Sequence, residues 1–135
     1  MAVLIAQITD LHVAADGPGL GLVDTAAHLD AAVDHLNAMS PQPQAVVVTG
    51  DMVNDATAAE YARLAPMLQR LRAPLFLLPG NHDDPAVLAA AFPEHRYLTP
   101  SPAGTFDYVA DLGDVALVAL DTSVRGHAHG AVGAT

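Results

Sequence analysis

The sequence contains no cysteine, and only five of its 135 residues are lysine or arginine. Without cysteine there can be no disulfide, no thiolate nucleophile and no cysteine-type zinc site, and we expect a cytoplasmic protein. Fifteen acidic residues leave a formal net charge of −10. This charge disfavours a surface that neutralises nucleic-acid phosphates or docks on anionic lipid, so we expect neither nucleic acid nor a membrane as a partner.

Long hydrophobic runs are also lacking. The first apolar run is interrupted by Gln7 and Asp10 and has no basic segment before it, so it predicts a buried strand and neither a signal peptide nor a membrane span. Hydrophobic residues nevertheless make up 52% of the chain, enough for a packed core. No linker or repeat divides the sequence, and we expect one domain over residues 1–135.

Three apolar runs predict strands buried on both faces of a parallel sheet. They are Val3–Thr9, Ala45–Thr49 and Leu75–Pro79. Two later segments, Thr105–Leu112 and Val115–Asp121, flank Gly113-Asp114 and predict a hairpin. The chain is therefore predicted to be α/β, with a mostly parallel sheet and a C-terminal hairpin.

Helical patterns separate the predicted parallel strands. Asp24 is the expected N-cap of a helix that reaches Met39, and Thr57 with Glu60 forms a capping box at the start of a second helix. Pro66 lies inside the second pattern, and we expect it to kink or split that helix. A third helix is predicted after Asp84, with a proline in its first position.

A short polar motif follows each predicted parallel strand: Asp10-Leu11-His12, Gly50-Asp51, and Gly80-Asn81-His82-Asp83. The distances between the motifs are 41 and 30 residues, about the length of a βαβ unit. Right-handed crossovers would bring the motifs to one edge of the sheet, where α/β proteins bind ligands.

Carboxylate, imidazole and amide groups at one edge suggest a metal centre. Such ligands suit manganese, iron, zinc or similar divalent ions, and a shared carboxylate can hold two ions about 3.5 to 4 Å apart. Asp51 belongs to the middle motif and is the natural bridge. Taken singly, each motif is more simply explained as a turn or a helix cap. The metal interpretation depends on the coincidence of all three.

The three motifs, in this order and spacing, resemble those of the calcineurin-like metallophosphoesterases, and the resemblance covers essentially all 135 residues. The segment Leu120-Asp121-Thr122-Ser123 and the glycine and histidines after it further resemble the bacterial branch of class III cyclic-nucleotide phosphodiesterases and glycerophosphodiesterases. The resemblance implies the N-terminal half of a four-layer α/β/β/α sandwich.

Residue roles follow from the resemblance, motif by motif. Asp10 and His12 would bind a first divalent ion, Asp51 would bridge, and Asn81 would bind a second ion through its amide oxygen. His82 would be the catalytic residue beside the substrate phosphate, and would hydrogen-bond a phosphoryl oxygen or help to protonate the leaving group. The implied reaction is hydrolysis of a small phosphodiester, a cyclic nucleotide or a glycerophosphodiester.

The chain departs from the family's pattern in what is missing after the matched part. Complete members continue with a helix, a strand that ends in a histidine, and a later GHxH motif. We therefore expect an incomplete domain, a second metal site that lacks ligands, and weak or absent activity from this chain alone. Gly126-His127-Ala128-His129 does spell GHxH, but no histidine-bearing strand precedes it, and we favour a solvated loop over a metal-ligand role.

Two other functions stay open at this point. The chain could be a non-catalytic binding or assembly module whose exposed sheet pairs with a second copy or with a complementary C-terminal segment. It could also be an ordinary nucleotide-binding α/β domain. The latter is disfavoured because neither a GxGxxG motif nor a P-loop follows the first strand.

Overall fold

A parallel sheet in the order β1-β2-β3 forms the centre of the computed structural model, which describes residues 3–102 and 104–133. The strands are β1 (Ile5–Ile8), β2 (Ala45–Thr49) and β3 (Leu75–Leu78). In the register of this sheet, Ile8 lies beside Val48, and Val48 beside Leu77. Neighbouring strands thus end together, so the segments that follow them share one edge.

The helices begin where the sequence predicts them to begin. They are α1 (Thr25–Ala38), α2 (Ala58–Leu68) and α3 (Pro85–Ala91). The side chains of Asp24, Thr57 and Asp84 cap them, and the capping box of Thr57 with Glu60 is present. Right-handed crossovers between consecutive strands put α1 and α2 on the same face of the sheet, where α2 contacts both α1 and α3.

Pro66 does not split α2, which leaves a kink as the remaining form of the prediction. The helix passes through Pro66 and ends at Leu68. A proline removes one backbone donor of the helix. Pro66 lies in the last turn of α2, so the missing donor affects only the end of the helix.

The core lies between the sheet and its helices. Its fully buried members include Val33 of α1, Leu64 of α2 and Leu88 of α3, packed with Val48 and Leu77 of the sheet. Of the three parallel strands, only β2 is buried along almost its whole length; β1 alternates between exposed and half-buried residues, and β3 is mostly half-buried. The prediction that all three are buried on both faces is wrong for β1 and β3, which are the sheet edges.

The predicted hairpin is confirmed. β4 (Tyr108–Asp111) and β5 (Ala116–Ala119) pair antiparallel, and the hydroxyl of Tyr108 donates a hydrogen bond of 3.0 Å to the Leu77 carbonyl. This bond ties the hairpin to β3. One side of the hairpin nevertheless carries exposed apolar side chains: Val109, Val118 and Leu120.

The α/β class with a parallel sheet and an added hairpin agrees with the sequence prediction. The outermost residues of the predicted domain, at both ends of 1–135, lie outside those described. Among residues 3–102 and 104–133, each helix is too short or too polar to cross a bilayer.

Candidate metal centre

Asp10, His12 and Asp51 come together at the edge of the sheet where β1 and β2 end. Each offers one ligand atom, and these atoms all lie within 4.8 Å of one another. His12 Nε2 lies 3.9 Å from Asp51 Oδ2, and both side chains are mostly shielded from solvent. Two ligand atoms that each lie about 2.0 to 2.2 Å from one ion are separated by at most about 4.4 Å. The 3.9 Å between His12 and Asp51 is within this limit, so these two side chains can share one divalent ion, and Asp10 lies close to both.

Hydrogen bonds extend the pairing of β1 with β2 into the loops that carry the motifs. The backbone N–H of Asp10 donates to Gly50 O at 3.1 Å, and that of His12 donates to Asp51 O at 3.0 Å. A further bond of 3.1 Å joins Val13 N to the loop after β2. The two motifs thus have a fixed register, which is why residues far apart in sequence meet.

The backbone at these residues is in the left-handed region. Asp10, His12 and Asp51 have φ of 55°, 43° and 50°. Positive φ is uncommon for residues other than glycine, and it concentrates at functional sites, where the surrounding structure enforces it. The backbone bonds to the neighbouring loop supply that enforcement here.

Two glycines allow the loops after β2 and β3 to approach each other closely. A Cβ at Gly50 would lie 2.8 Å from the Cα of Gly80, and one at Gly80 would lie 2.2 Å from Oδ1 of Asp51. Both contacts are shorter than real Cβ contacts. The glycines of the Gly-Asp and Gly-Asn-His motifs are therefore required by packing, and they leave room for the carboxylate of Asp51.

The side chain of Asp83 also holds together the loops that follow β2 and β3. Its buried carboxylate accepts hydrogen bonds from the N–H groups of Met52, at 3.2 Å, and Gly80, at 2.8 Å, and from the hydroxyl of Tyr61, at 2.8 Å. Burial raises the pKa of Asp83, and these donors oppose the rise. Burial and the nearby Asp83 raise the pKa of Tyr61, so this hydroxyl stays protonated. Asp83 thereby fixes the residues next to Asp51 and Asn81.

His82 lies beside the triad and is not part of it. Its backbone N–H donates to Asp51 Oδ1 at 3.0 Å, and its ring meets that of His12 edge-on with 4.9 Å between centroids. The ring Nδ1 lies 2.8 Å from the carbonyl of Asn54. Because a carbonyl can only accept, Nδ1 must carry the proton. In the neutral ring, Nε2 is then left as an acceptor.

Asn81 lines a cavity of about 180 Å³ together with Asp51. The other side chains around it include Thr122, Ser123 and His129. Sequence reasoning left the position of His129 open and favoured a solvated loop. His129 is indeed exposed, but the structure brings it to the cavity that holds Asp51 and Asn81.

The donor set of two carboxylates and one imidazole is one that divalent transition metals accept. Nε2 is the ring atom of His12 that lies near the Asp51 carboxylate. The other ring nitrogen, Nδ1, is buried and lacks a hydrogen-bond partner among the described residues, which is costly for a polar atom. The His12 carbonyl, in contrast, accepts a bond of 3.0 Å from the Thr25 hydroxyl at the start of α1. His12 is thus anchored through its backbone while its ring is left available.

A family model described as calcineurin-like phosphoesterase matches residues 3–131, and the chain therefore belongs to this family. Its members use divalent metal ions, and the triad of Asp10, His12 and Asp51 is a candidate site for one. The predicted family is confirmed.

Individual relatives are phosphodiesterases of bacteria. The chain is 39% identical over 132 residues to a glycerophosphodiester phosphodiesterase of Enterobacter lignolyticus, with 94% of this chain and 46% of that protein covered. It is 33% identical over 137 residues to a cAMP/cGMP dual specificity phosphodiesterase of Mycobacterium tuberculosis, with coverages of 98% and 42%. The chain spans less than half of the length of these relatives.

Sequence reasoning did not single out Asp83 and Tyr61 for any role in the site. The fourth position of the Gly-Asn-His-Asp motif was a signal for Asp83, because an acidic residue so close to a strand end can accept bonds from two loops. Tyr61 gave no such signal, since an aromatic residue on the apolar side of a helix is normally a core residue. Asp121 accepts hydrogen bonds from Phe106 N and Ser123 N and thus shapes a turn.

Proposed function

We propose that this chain carries one wall of a two-metal centre that hydrolyses small phosphodiesters. The convergence of Asp10, His12 and Asp51 at one sheet edge supports this most directly. Asp10 and His12 would hold the first ion, Asp51 would be shared, and Asn81 would reach the second ion. Two divalent ions at such a centre lower the pKa of bound water and neutralise charge on the phosphate oxygens.

His82 has the catalytic role in this proposal. Its Nδ1–H is committed to the Asn54 carbonyl at 2.8 Å, which fixes the ring. Nε2 is then the atom that can exchange a proton with solvent or substrate. When protonated, it donates to a phosphoryl oxygen or to the leaving oxygen. The bond from His82 N to Asp51 Oδ1 keeps the backbone of His82 next to the carboxylate that would be shared by the two ions.

The substrate class and the completeness of the site are also proposals. The names of the relatives support glycerophosphodiesters or cyclic nucleotides as substrates. The carboxylate, imidazole and amide donors suit manganese, iron or zinc, and we propose action in the cytoplasm. Asp51 and Asn81 alone leave the second ion short of protein ligands. We therefore propose that residues 1–135 form an incomplete domain with weak activity, whose remaining ligands come from another segment.

Hydrolysis of bis(4-nitrophenyl) phosphate with added Mn²⁺ tests the proposal. We expect slow, metal-dependent turnover, and we expect Asp51→Asn to lower it by more than the roughly 10- to 100-fold typical of outer-shell changes. The matched control is Asp16→Asn, an exposed carboxylate outside the triad. Turnover that survives Asp51→Asn would contradict the two-metal assignment.

A separate experiment tests whether the second metal site is incomplete in residues 1–135. The chain is extended at its C-terminus with the corresponding remainder of the Enterobacter lignolyticus relative, and the two proteins are compared under the same conditions. We expect the extended protein to be much faster. Equal rates would show that residues 1–135 need no further ligands.

An assembly function is the second candidate, because the hairpin exposes Val109, Val118 and Leu120, each more than half accessible to solvent. Exposed apolar side chains on one face favour pairing with a second copy or with a complementary segment. Light scattering after gel filtration distinguishes the cases. A dimer that Val118→Lys converts to a monomer would support assembly, whereas a stable monomer at high concentration would count against it.

A further inference from the structure

The segment 124–129, which we call the histidine loop, is closed at its base next to the candidate metal centre. Ser123 and Gly130 form an antiparallel bridge, and the N–H of Ala131 donates to the Thr122 carbonyl at 2.8 Å. A Cβ at Gly130 would lie 2.9 Å from that carbonyl oxygen. The bridge and this tight packing fix where the loop leaves and rejoins the chain.

The histidine loop places an imidazole at the cavity of Asp51 and Asn81. His129 lines this cavity, whereas His82 is not among its lining residues. The ring of His127 packs against that of His129 with 5.0 Å between centroids. The cavity of Asp51 and Asn81 is therefore lined by a histidine other than His82.

Few other cationic groups are available to an anion at this cavity. The chain has only five lysines and arginines. Arg70 pairs with Asp30 and Asp34, and Arg125 donates to Asp84 at 2.7 Å. An imidazole N–H is a suitable donor to a phosphate oxygen, and a bond to a charged acceptor is stronger than a neutral one.

The position of His129 suits a contact with a bound phosphate better than coordination of the first metal ion. In residues 3–102 and 104–133, the acidic and histidine side chains close enough to share an ion are Asp10, His12 and Asp51, and His129 is outside this cluster. It lines instead the cavity that Asp51 and Asn81 also line. A phosphodiester bound at Asp51 and Asn81 would lie in this cavity.

We propose that His129 donates a hydrogen bond to an oxygen of the phosphodiester bound at the metal centre, and thereby helps to bind the substrate. This inference rests on the proposed function. It assigns a binding role to a residue of the histidine loop that lies outside the metal triad.

Calorimetric titration of the Mn²⁺-loaded chain with inorganic phosphate tests this inference. We expect His129→Ala to weaken phosphate binding about tenfold, the effect of losing one bond to a charged group. His129→Gln keeps an N–H donor and should recover part of the affinity. His35→Ala, an exposed histidine on α1, is the control and should bind phosphate as the unaltered chain does.

Mn²⁺ binding is measured for each variant in the same buffer and should be unchanged by His129→Ala. Unchanged phosphate affinity in His129→Ala would overturn the inference, as would a Mn²⁺-loaded chain that binds no phosphate. Loss of Mn²⁺ from His129→Ala would make the residue a metal ligand and would overturn it too. If the unaltered chain binds no Mn²⁺, the proposed function itself fails, which is a different result.

Discussion

The hydroxyl of Tyr61 on α2 donates a hydrogen bond of 2.8 Å to the buried carboxylate of Asp83, which follows β3. The same carboxylate accepts hydrogen bonds from the N–H groups of Met52 and Gly80. One side chain therefore joins a helix and two loops. Because Asp51 and Asn81 adjoin these bonded residues, the geometry of the candidate metal centre depends on a group that does not itself belong to it.

Asp83→Asn should destabilise the fold. The amide places an N–H₂ group where one carboxylate oxygen accepted two donors, so at least one of these buried hydrogen bonds is lost or reversed, at a cost of about 1 to 3 kcal/mol in the free energy of unfolding. Urea denaturation followed by circular dichroism measures this change. Asp16→Asn alters an exposed carboxylate and should leave the midpoint unchanged. A variant at position 83 as stable as this control would show that the carboxylate is dispensable.

Gly80→Ala should disturb the site directly. The new methyl group would lie 2.2 Å from Asp51 Oδ1 and 2.4 Å from Asp51 N, so the carboxylate or the loop must move. We expect weaker Mn²⁺ binding and a lower melting temperature. Gly133→Ala is the matched control, because a Cβ there meets nothing within 4 Å. Equal Mn²⁺ affinity of the two variants would contradict the packing argument.

His95 should make stability depend on pH. Burial lowers the pKa of His95 below its ordinary value of 6.5, and the charge of Glu94 opposes this. Between the lowered pKa and 6.5, the unfolded chain binds a proton that the folded protein does not. The free energy of unfolding therefore falls as the pH falls through this window.

His95→Gln should reduce that pH dependence, since the glutamine does not titrate. Urea midpoints at pH 7.5 and at pH 5.5 give the slope, and His35→Gln, which replaces an exposed histidine, is the control. The slope should be shallower in His95→Gln than in the control. Identical slopes in both variants would show that burial of His95 does not penalise its protonation.

The sequence was sufficient to place the motifs at one edge, because apolar runs of strand length and capped helices alternate regularly. Asp24, Thr57 and Asp84 all cap the predicted helices. Interactions between residues close in sequence determine these features, so they can be recognised from a short stretch of the sequence. The exposure of β1 and β3 could not be predicted in this way, because it depends on which strand occupies the sheet centre.

The left-handed backbone of Asp10, His12 and Asp51 was likewise not predictable. Aspartate and histidine tolerate positive φ but do not require it, and the loop-to-loop bonds that enforce it form only in the folded chain. His129 is a similar case. Its sequence context favoured a solvated loop, and only the bridge between Ser123 and Gly130 brings it to the cavity of Asp51.

Titration with Mn²⁺, followed by the paramagnetic resonance signal of the free ion, tests most directly whether Asp10, His12 and Asp51 form a metal centre. Bound Mn²⁺ loses that signal, so the titration gives affinity and stoichiometry. We expect the unaltered chain and Asp16→Asn to bind at least one ion, and we expect Asp51→Asn to bind at least about tenfold more weakly. Equal affinity in Asp51→Asn, or no binding by the unaltered chain, would contradict the account.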